Sequence, residues 1–360
     1  MIKIIKQILI FFLLGFVLTG CNVLGVKINS SSQGPGDGAL YLSEDSGLSW
    51  QQKSLSRVVN GKAELIGSLN VRDMVIDPQD AKTVYLLTES SSLWVSYNRG
   101  DYWNNLLSLP TRIEAIAIHP KDRAIVYAVS GKEIYKTQDG GSNWTKIYAD
   151  GSPTKLLTSI ALSYQHPDTL YVGSSDGDVI TSRDGGNTWS VAIRLAEGSA
   201  LSIRSLITLP KKVGWIYAPT STGGLYISKD SGTTWSKNDV LSSLSGTDVS
   251  GSFVVDPKTG DLYYGSLYGI LMSSDAGQTW KQIPLLTKPQ TILIQSIAVH
   301  PRNSAILMYG TSQGIYRTED RGKTWKTLPL PTTRSPRVLL FDRQAPAIVY
   351  LGAGISLERN

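Results

Sequence analysis

The chain has 360 residues, a formal net charge of +6, 41% hydrophobic residues and one cysteine. Its charges are interspersed, and no basic tract or nucleic-acid module is visible, which argues against a partner read through phosphate contacts. A single cysteine excludes disulfides within the chain and thiolate metal clusters, so the fold must stand on its core, and no metal or cofactor is expected.

Met1 to Cys21 has the layout of an export signal. Lys3 and Lys6 form a short positive region, Ile8 to Leu18 is an apolar run broken by Gly15, and Leu18-Thr19-Gly20-Cys21 follows. The run is shorter than the ~20 residues of a membrane-spanning helix. Its last four residues resemble a bacterial lipobox, which implies cleavage before Cys21 and acyl chains on that residue, enough for stable membrane anchoring. The other reading is a plain secretory signal with an incidental cysteine. Loss of Lys3 and Lys6 lowers the charge by two, to +4. Asn22 is not the Asp that resembles an inner-membrane retention signal. The expected location is therefore the cell envelope, on a membrane facing the periplasm or exterior, the outer one where two exist. Asn22 to Gly38, rich in Ser and Gly, reads as a flexible tether.

From residue 39 to 360 the sequence repeats. Seven stretches end at Trp50, Trp103, Trp144, Trp189, Trp235, Trp280 and Trp325, with steps of 53, 41, 45, 46, 45 and 45 residues. Each reads Ser or Thr, any residue, Asp or Asn, any residue, Gly, any two residues, Trp. The acidic or amide position is filled by Asp45, Asn98, Asp139, Asp184, Asp230, Asp275 and Asp320. A short side chain two residues before a Gly accepts backbone N–H bonds from its own turn, the Gly supplies φ > 0, and the Trp starts the next strand and carries its ring to the core. A motif used seven times reads as structural rather than catalytic. A period in the mid-forties gives one four-stranded blade per repeat.

The best copy places strands at 294–301, 305–312, 314–320 and 324–330. Equivalent inner strands begin near Val71, Ile113, Leu157, Ile203, Val249 and Pro336. The chain starts with third and fourth strands (39–50 and a little beyond) and ends with first and second strands (337–342, 348–352), so the termini must share a blade. No long amphipathic helix is legible. The fold class is all-β, a single seven-bladed β-propeller whose last blade is closed by pairing of N- and C-terminal strands, which removes open sheet edges.

The repeated stretches resemble the Asp-box, or BNR, repeat of sialidases, xyloglucanase-type glycoside hydrolases, sortilin-like receptors and photosystem II stability and assembly factors. The resemblance covers residue 39 to the end. It implies a propeller with each box between the third and fourth strands, on the side of the disc remote from active sites.

Function is sought where repeats differ at one structural position. With the inner strands stacked, the second residue is Arg72, Glu114, Arg204, Gln295 and Arg337, with Thr158 and Gly251 in the other two blades. These seven are expected to ring one mouth of the central channel, where three guanidiniums could hold a carboxylate or sulfate. The competing account has Arg72 paired with Glu114 or Asp73 as part of a turn. Trp94, Trp215 and Tyr268, outside the boxes, form a second candidate surface, although Trp94 aligns with the core positions Tyr135, Tyr226 and Tyr316. His119, His166 and His300 lie in His-Pro turns and read as turn residues.

A sialidase-type site, which the resemblance raises, would need a Tyr/Glu pair that cannot be assigned and a six-bladed ring. Glycosidases need two carboxylates flanking a bond, and only Asp73, Glu114 and Glu197 offer themselves. The expected function is a lipid-anchored, non-catalytic scaffold that binds a protein or glycan. The alternatives are a glycoside hydrolase and a photosystem II assembly factor-like role.

Overall fold

A computed structural model describes residues 36–59, 62–106, 112–195, 201–222 and 224–356. The signal, Cys21, most of the tether and Glu197 lie outside these residues. Seven four-stranded antiparallel sheets are present, six of them with their strands in sequential order from the axis outward. Blade 1 is Val71–Ile76, Val84–Thr88, Leu93–Ser96 and Asn104–Asn105; blade 2 is Ile113–Ile118, Val126–Ser130, Glu133–Thr137 and Thr145–Ala149. Blade 3 is Leu157–Leu162, Leu170–Ser174, Asp178–Ser182 and Ser190–Arg194; blade 4 is Ile207–Leu209, Lys212–Pro219, Leu225–Ser228 and Ser236–Asn238. Blade 5 is Ser250–Val255, Leu262–Ser266, Gly269–Ser273 and Lys281–Ile283; blade 6 is Ser296–Val299, Leu307–Thr311, Gly314–Thr318 and Lys326–Leu328. Blade 7 takes Ser335–Phe341 and Val349–Gly354 from the end of the chain and Ala39–Ser43 and Gln51–Lys53 from its start. Ala39 lies opposite Ala353 and Ser43 opposite Val349, which closes the ring.

The 53-residue step between Trp50 and Trp103 has a local cause. An extra hairpin, Leu55–Val59 with Lys62–Leu65, is inserted between the last strand of blade 7 and the first of blade 1. The one helix among the described residues is a single turn, Asp239–Ser242. It fills part of the connection from blade 4 to blade 5, and no described helix is long and apolar enough to cross a membrane.

All seven repeated turns join third to fourth strands. In blade 4, Ser228 Oγ donates to Asp230 Oδ1 (2.9 Å) and accepts from Gly232 N (2.9 Å), while the Asp230 carboxylate accepts from Thr234 N (2.9 Å) and Thr234 Oγ1 (2.5 Å). The Gly232 N–H is thus met within the turn, while the Ser231 N–H reaches out of it to Gly214 O at 2.9 Å. The Gly takes a left-handed conformation, with φ of 83° at Gly232, and so does the residue before it, Ser231 at 59°. Of the seven tryptophans only Trp103 is fully buried, at 0% exposure; the other six are half-buried caps on the blade edge rather than core residues. The turns also bond the hairpins between first and second strands, as in Gly140 N to Ala124 O (3.0 Å) and Arg321 N to Ala305 O (3.0 Å), which puts both on one face of the disc.

The core lies between blades. Each second strand contributes a buried tyrosine at the same position, Tyr85, Tyr127, Tyr171, Tyr217, Tyr263, Tyr309 and Tyr350, none more than 2% exposed. Three reach the neighbouring blade by their hydroxyls, Tyr127 to Gly185 O, Tyr171 to Ser231 O and Tyr350 to Ala81 O, each at 3.3 Å. Burial pushes the Tyr127 and Tyr217 phenols up to about 12, so this ring stays neutral through the physiological range.

Candidate binding site at the channel mouth

On the face opposite the repeated turns, the inner strands begin with an irregularity. In five blades the ladder slips so that one residue has no partner, and that residue is Arg72, Glu114, Thr158, Gly251 or Arg337. A bulge of this kind bends the strand and re-aims a side chain. Arg204 and Gln295 occupy the same place just before the strands of blades 4 and 6, their N–H groups bonded to Pro219 O and Gly310 O, both at 2.9 Å. All seven residues line one cavity of about 510 Å³. The sequence alignment therefore located a shared mouth, although not the bulge that makes it.

The three guanidiniums do not form an open clamp, and the structure corrects that expectation. Arg72 Nη1 donates to Glu114 Oε2 at 2.8 Å, and its Nη2 reaches the carbonyls of Ile113 and Glu114. Glu114 also pairs with Arg112 at 2.5 Å. Arg337, its side chain 10% exposed, pairs with Glu89 (3.2 Å) and donates to Ile355 O (2.8 Å). Burial, with Arg72 adding repulsion, lowers its basicity against the pull of Glu89 and Asp73. Arg204 is the exposed guanidinium of the three. Gln295 is 1% exposed, its Nε2 donating to Ser335 Oγ (3.2 Å) and Ser356 Oγ (2.8 Å) while Oε1 is buried without a partner. It is a buried strut beside the mouth rather than an open contact.

Most bulge residues also stitch one blade to the next. Thr158 Oγ1 donates to Ile203 O at 2.6 Å as Arg72 does to Ile113 O, and at Gly251 the backbones come so close that a Cβ would sit 2.2 Å from Ile294 O. Of these contacts the sequence reading offered only the Arg72–Glu114 pair, as its competing account, and missed the stitching of blade to blade. Asp73, next to Arg72, is the other acid of the cavity. Asp73 is open to the channel but walled by protein, and this desolvation raises its pKa against the opposing effects of the Met74 N–H (2.8 Å), Arg72 and Arg337. A carboxyl so placed is easier to protonate than an ordinary surface Asp.

Toward the other face the channel turns apolar. A second cavity of about 450 Å³ is lined by Met74, Ile76, Leu162, Leu209, Val255 and Phe341 among others, and Phe253, Val254 and Leu340 border both cavities. The aromatic surface dissolves. Trp94 is half-buried with its Nε1 on Ser92 Oγ (3.0 Å), Tyr268 packs against the core of blades 4 and 5, and Trp215 lies under the ammonium groups of Lys212 and Lys229 at 4.5 and 4.8 Å. His119 and His300 use Nδ1 to accept turn N–H groups, Lys121 N at 3.3 Å and Arg302 N at 3.2 Å. Among the described residues no cluster of His, Cys, Asp and Glu is placed to hold a metal ion.

A seven-bladed ring with one repeated turn per blade and a charged channel mouth on the opposite face defines a BNR-type β-propeller. The family model of Sortilin-Vps10 (sortilin, neurotensin receptor 3) matches residues 38–150 and 268–355, more than half of the chain, which therefore belongs to that family. The chain is 26% identical over 197 residues to a Paenibacillus xyloglucanase (47% of this chain, 18% of the enzyme). It is 22% identical over 163 residues to the photosystem II assembly protein Ycf48 of Thermosynechococcus vestitus (42% of this chain, 41% of that protein). The chain thus spans less than half the length of these relatives. Among solved structures, the GH74 xyloglucanase of Xanthomonas campestris superposes with a TM-score of 0.69 at 16% identity, over 85% of this chain and 52% of that one. Ycf48 bound to a D1 peptide superposes with a TM-score of 0.61 at 16% identity, over 81% and 94%.

Proposed function

We propose that this chain is a lipid-anchored, non-catalytic β-propeller that holds an acidic segment of another protein at its channel mouth. The observation that carries this reading is the convergence of Arg204, Arg72 and Arg337 on one cavity, where Arg204 is the most exposed of the three. Arg204 offers the first contact, and an incoming carboxylate competes with Glu114 and Glu89 for the flanking guanidiniums, a bidentate exchange that costs little charge separation. A relative of similar fold has been seen with a peptide bound, which supports a peptide as the kind of partner. The lipobox-like Leu18 to Cys21 supports the anchor. The test is crosslinking from membranes followed by titration with synthetic acidic peptides. Wild type should recover a partner that Arg204→Gln loses, with binding that weakens as salt rises, because exposed charges are screened over ~8 Å at physiological ionic strength. Equal recovery by Arg204→Gln, at unchanged melting temperature, would sink the reading.

One observation favours a second reading. Asp73 has the raised carboxyl expected of a proton donor to a leaving group, and a xyloglucanase is among the relatives. Should the purified chain release reducing sugar from xyloglucan, Asp73→Asn must abolish the release; no release leaves the binding reading in place.

A further inference from the structure

The described chain begins on the mouth face. Gly36 and Gly38 carbonyls both accept from Gln52 Nε2 (2.6 and 2.9 Å). The Asp37 carboxylate accepts from Thr333 N (2.6 Å), and Thr332 Oγ1 donates to Asp37 O (2.7 Å). Arg334 crosses the same seam, donating to Leu69 O (2.9 Å) and Asn70 Oδ1 (2.8 Å). Residues 332–334 lead into the strand that carries Arg337, and Asn70 precedes the one that carries Arg72. The entry point is thus held by side chains to the rim of the mouth, not to the face of the repeated turns.

Fourteen residues lie between Cys21 and Gly36, and the fifteen steps across them reach no more than about 50 Å. For the repeated turns to face the membrane, that chain would have to pass over the outer strand and down the depth of the disc. Strands ~4.8 Å apart put the rim roughly 10 Å away, and six residues at ~3.3 Å plus the turns add about 30 Å. That route takes about four fifths of the tether's full reach and leaves only about 10 Å of slack.

We propose that the mouth faces the membrane carrying the Cys21 anchor, and that its partner is an acidic extramembrane segment of an integral membrane protein. This rests on the function and the anchor proposed above, but adds an orientation that neither requires. Anchoring partner and mouth to one bilayer replaces a bimolecular encounter with a confined one, at effective concentrations that reach millimolar over short spans. That suits a mouth whose Arg72 and Arg337 are already braced by acids and would bind a free peptide weakly.

Because Cys21 is the only cysteine, an introduced one is the only free thiol of the lipidated chain. A donor dye at Leu156→Cys (mouth face, 41% exposed) is compared with one at Leu48→Cys (opposite face, 60% exposed). The full lipidated chain is placed in phosphatidylcholine vesicles doped with a rhodamine headgroup lipid. Energy transfer from position 156 should exceed that from 48 at least twofold; equal or reversed transfer overturns the orientation. Unlipidated Cys21→Ser chains should show no transfer, and transfer that persists there overturns the anchor instead. In the same vesicles a hexaglutamate tail on a transmembrane helix should bind at no more than a tenth of the concentration the free hexaglutamate needs, and Arg204→Gln should remove the binding. Equal affinity for both forms overturns the membrane-protein partner. Arg204-dependent docking of the unlipidated chain on phosphatidylglycerol vesicles without peptide would make a lipid headgroup the ligand and overturn it as well. Loss of all peptide binding with the twofold transfer difference intact would strike the acidic-segment function alone.

Discussion

Ser228 serves two groups of its turn at once, the Asp230 carboxylate and the Gly232 N–H. Ser228→Ala leaves the Gly232 N–H without a partner in a buried place and should cost about 1–3 kcal/mol, read from urea unfolding. Ala276 and Arg321 sit at φ of 62° beside the left-handed Gly of their turns, where Gly140 and Gly185 stand in two other copies. Ala276→Gly should therefore raise stability by about 1 kcal/mol, since a side chain is strained in this region. The carboxylates of the turns set an acid limit. Hydrogen bonds from the residue four positions on (Ser49, Asn143, Thr188, Thr279) lower Asp45, Asp139, Asp184 and Asp275 from 3.8 to about 2. A depressed carboxyl stabilises the fold above its unfolded pKa, and this contribution fades as pH falls toward the folded one. Melting temperature should hold down to about pH 4 and drop between 4 and 2, while the turn at Asn98 contributes nothing to the drop. Asp73 acts in the opposite sense. Its raised pKa means that ionisation on going from acid to neutral pH disfavours the native state, so Asp73→Asn should raise the melting temperature at pH 7 and leave it unchanged well below pH 4.

Strands are where sequence and structure agree most closely. The best repeat predicted four strands, and all four are found, each shorter because Pro301, Ser312, Asp320 and Pro329 fall in turns or caps. Periodicity and turn residues carry that information locally. The bulge does not show in sequence, because nothing in Val71-Arg72-Asp73 marks Arg72 as the residue without a ladder partner; only the register against Thr88 and Leu87 does. The pairing of Arg337 with Glu89 was invisible for a related reason, since it joins blades 7 and 1 across the closure. One available signal was overlooked: a tyrosine recurs in every second strand at steps of 41 to 46 residues. The tight blade-to-blade contact at Gly251 gives a test at this scale. Gly251→Ala pushes a methyl against Ile294 O and should cost roughly 1–3 kcal/mol by overpacking, although the residue lies far from any repeated turn.

The whole ring depends on its seam. Only blade 7 takes strands from both ends of the chain, and Asp37, Thr332, Arg334 and the Ala39–Ala353 pairing hold it shut. A chain lacking residues 36–53 keeps six complete blades but exposes the edge of Val349–Gly354, and it should aggregate or unfold cooperatively at much lower urea than wild type, as size-exclusion chromatography and unfolding curves would show. The burial of the tryptophans sets the scale for other losses. Trp103→Ala, from full burial beside that seam, should cost about 3–5 kcal/mol, and Trp325→Ala, half exposed, distinctly less. The seam also imposes a timetable. Ala39 cannot meet Ala353 until more than 300 further residues have been made, which takes roughly 15 to 60 seconds at ~5–20 residues per second. Throughout that interval the first strand to emerge has no neighbour on its inner side. The channel mouth, built on Arg72 and Arg337, thus cannot form until the strands of blade 7 have been made, and a partner can find it only then.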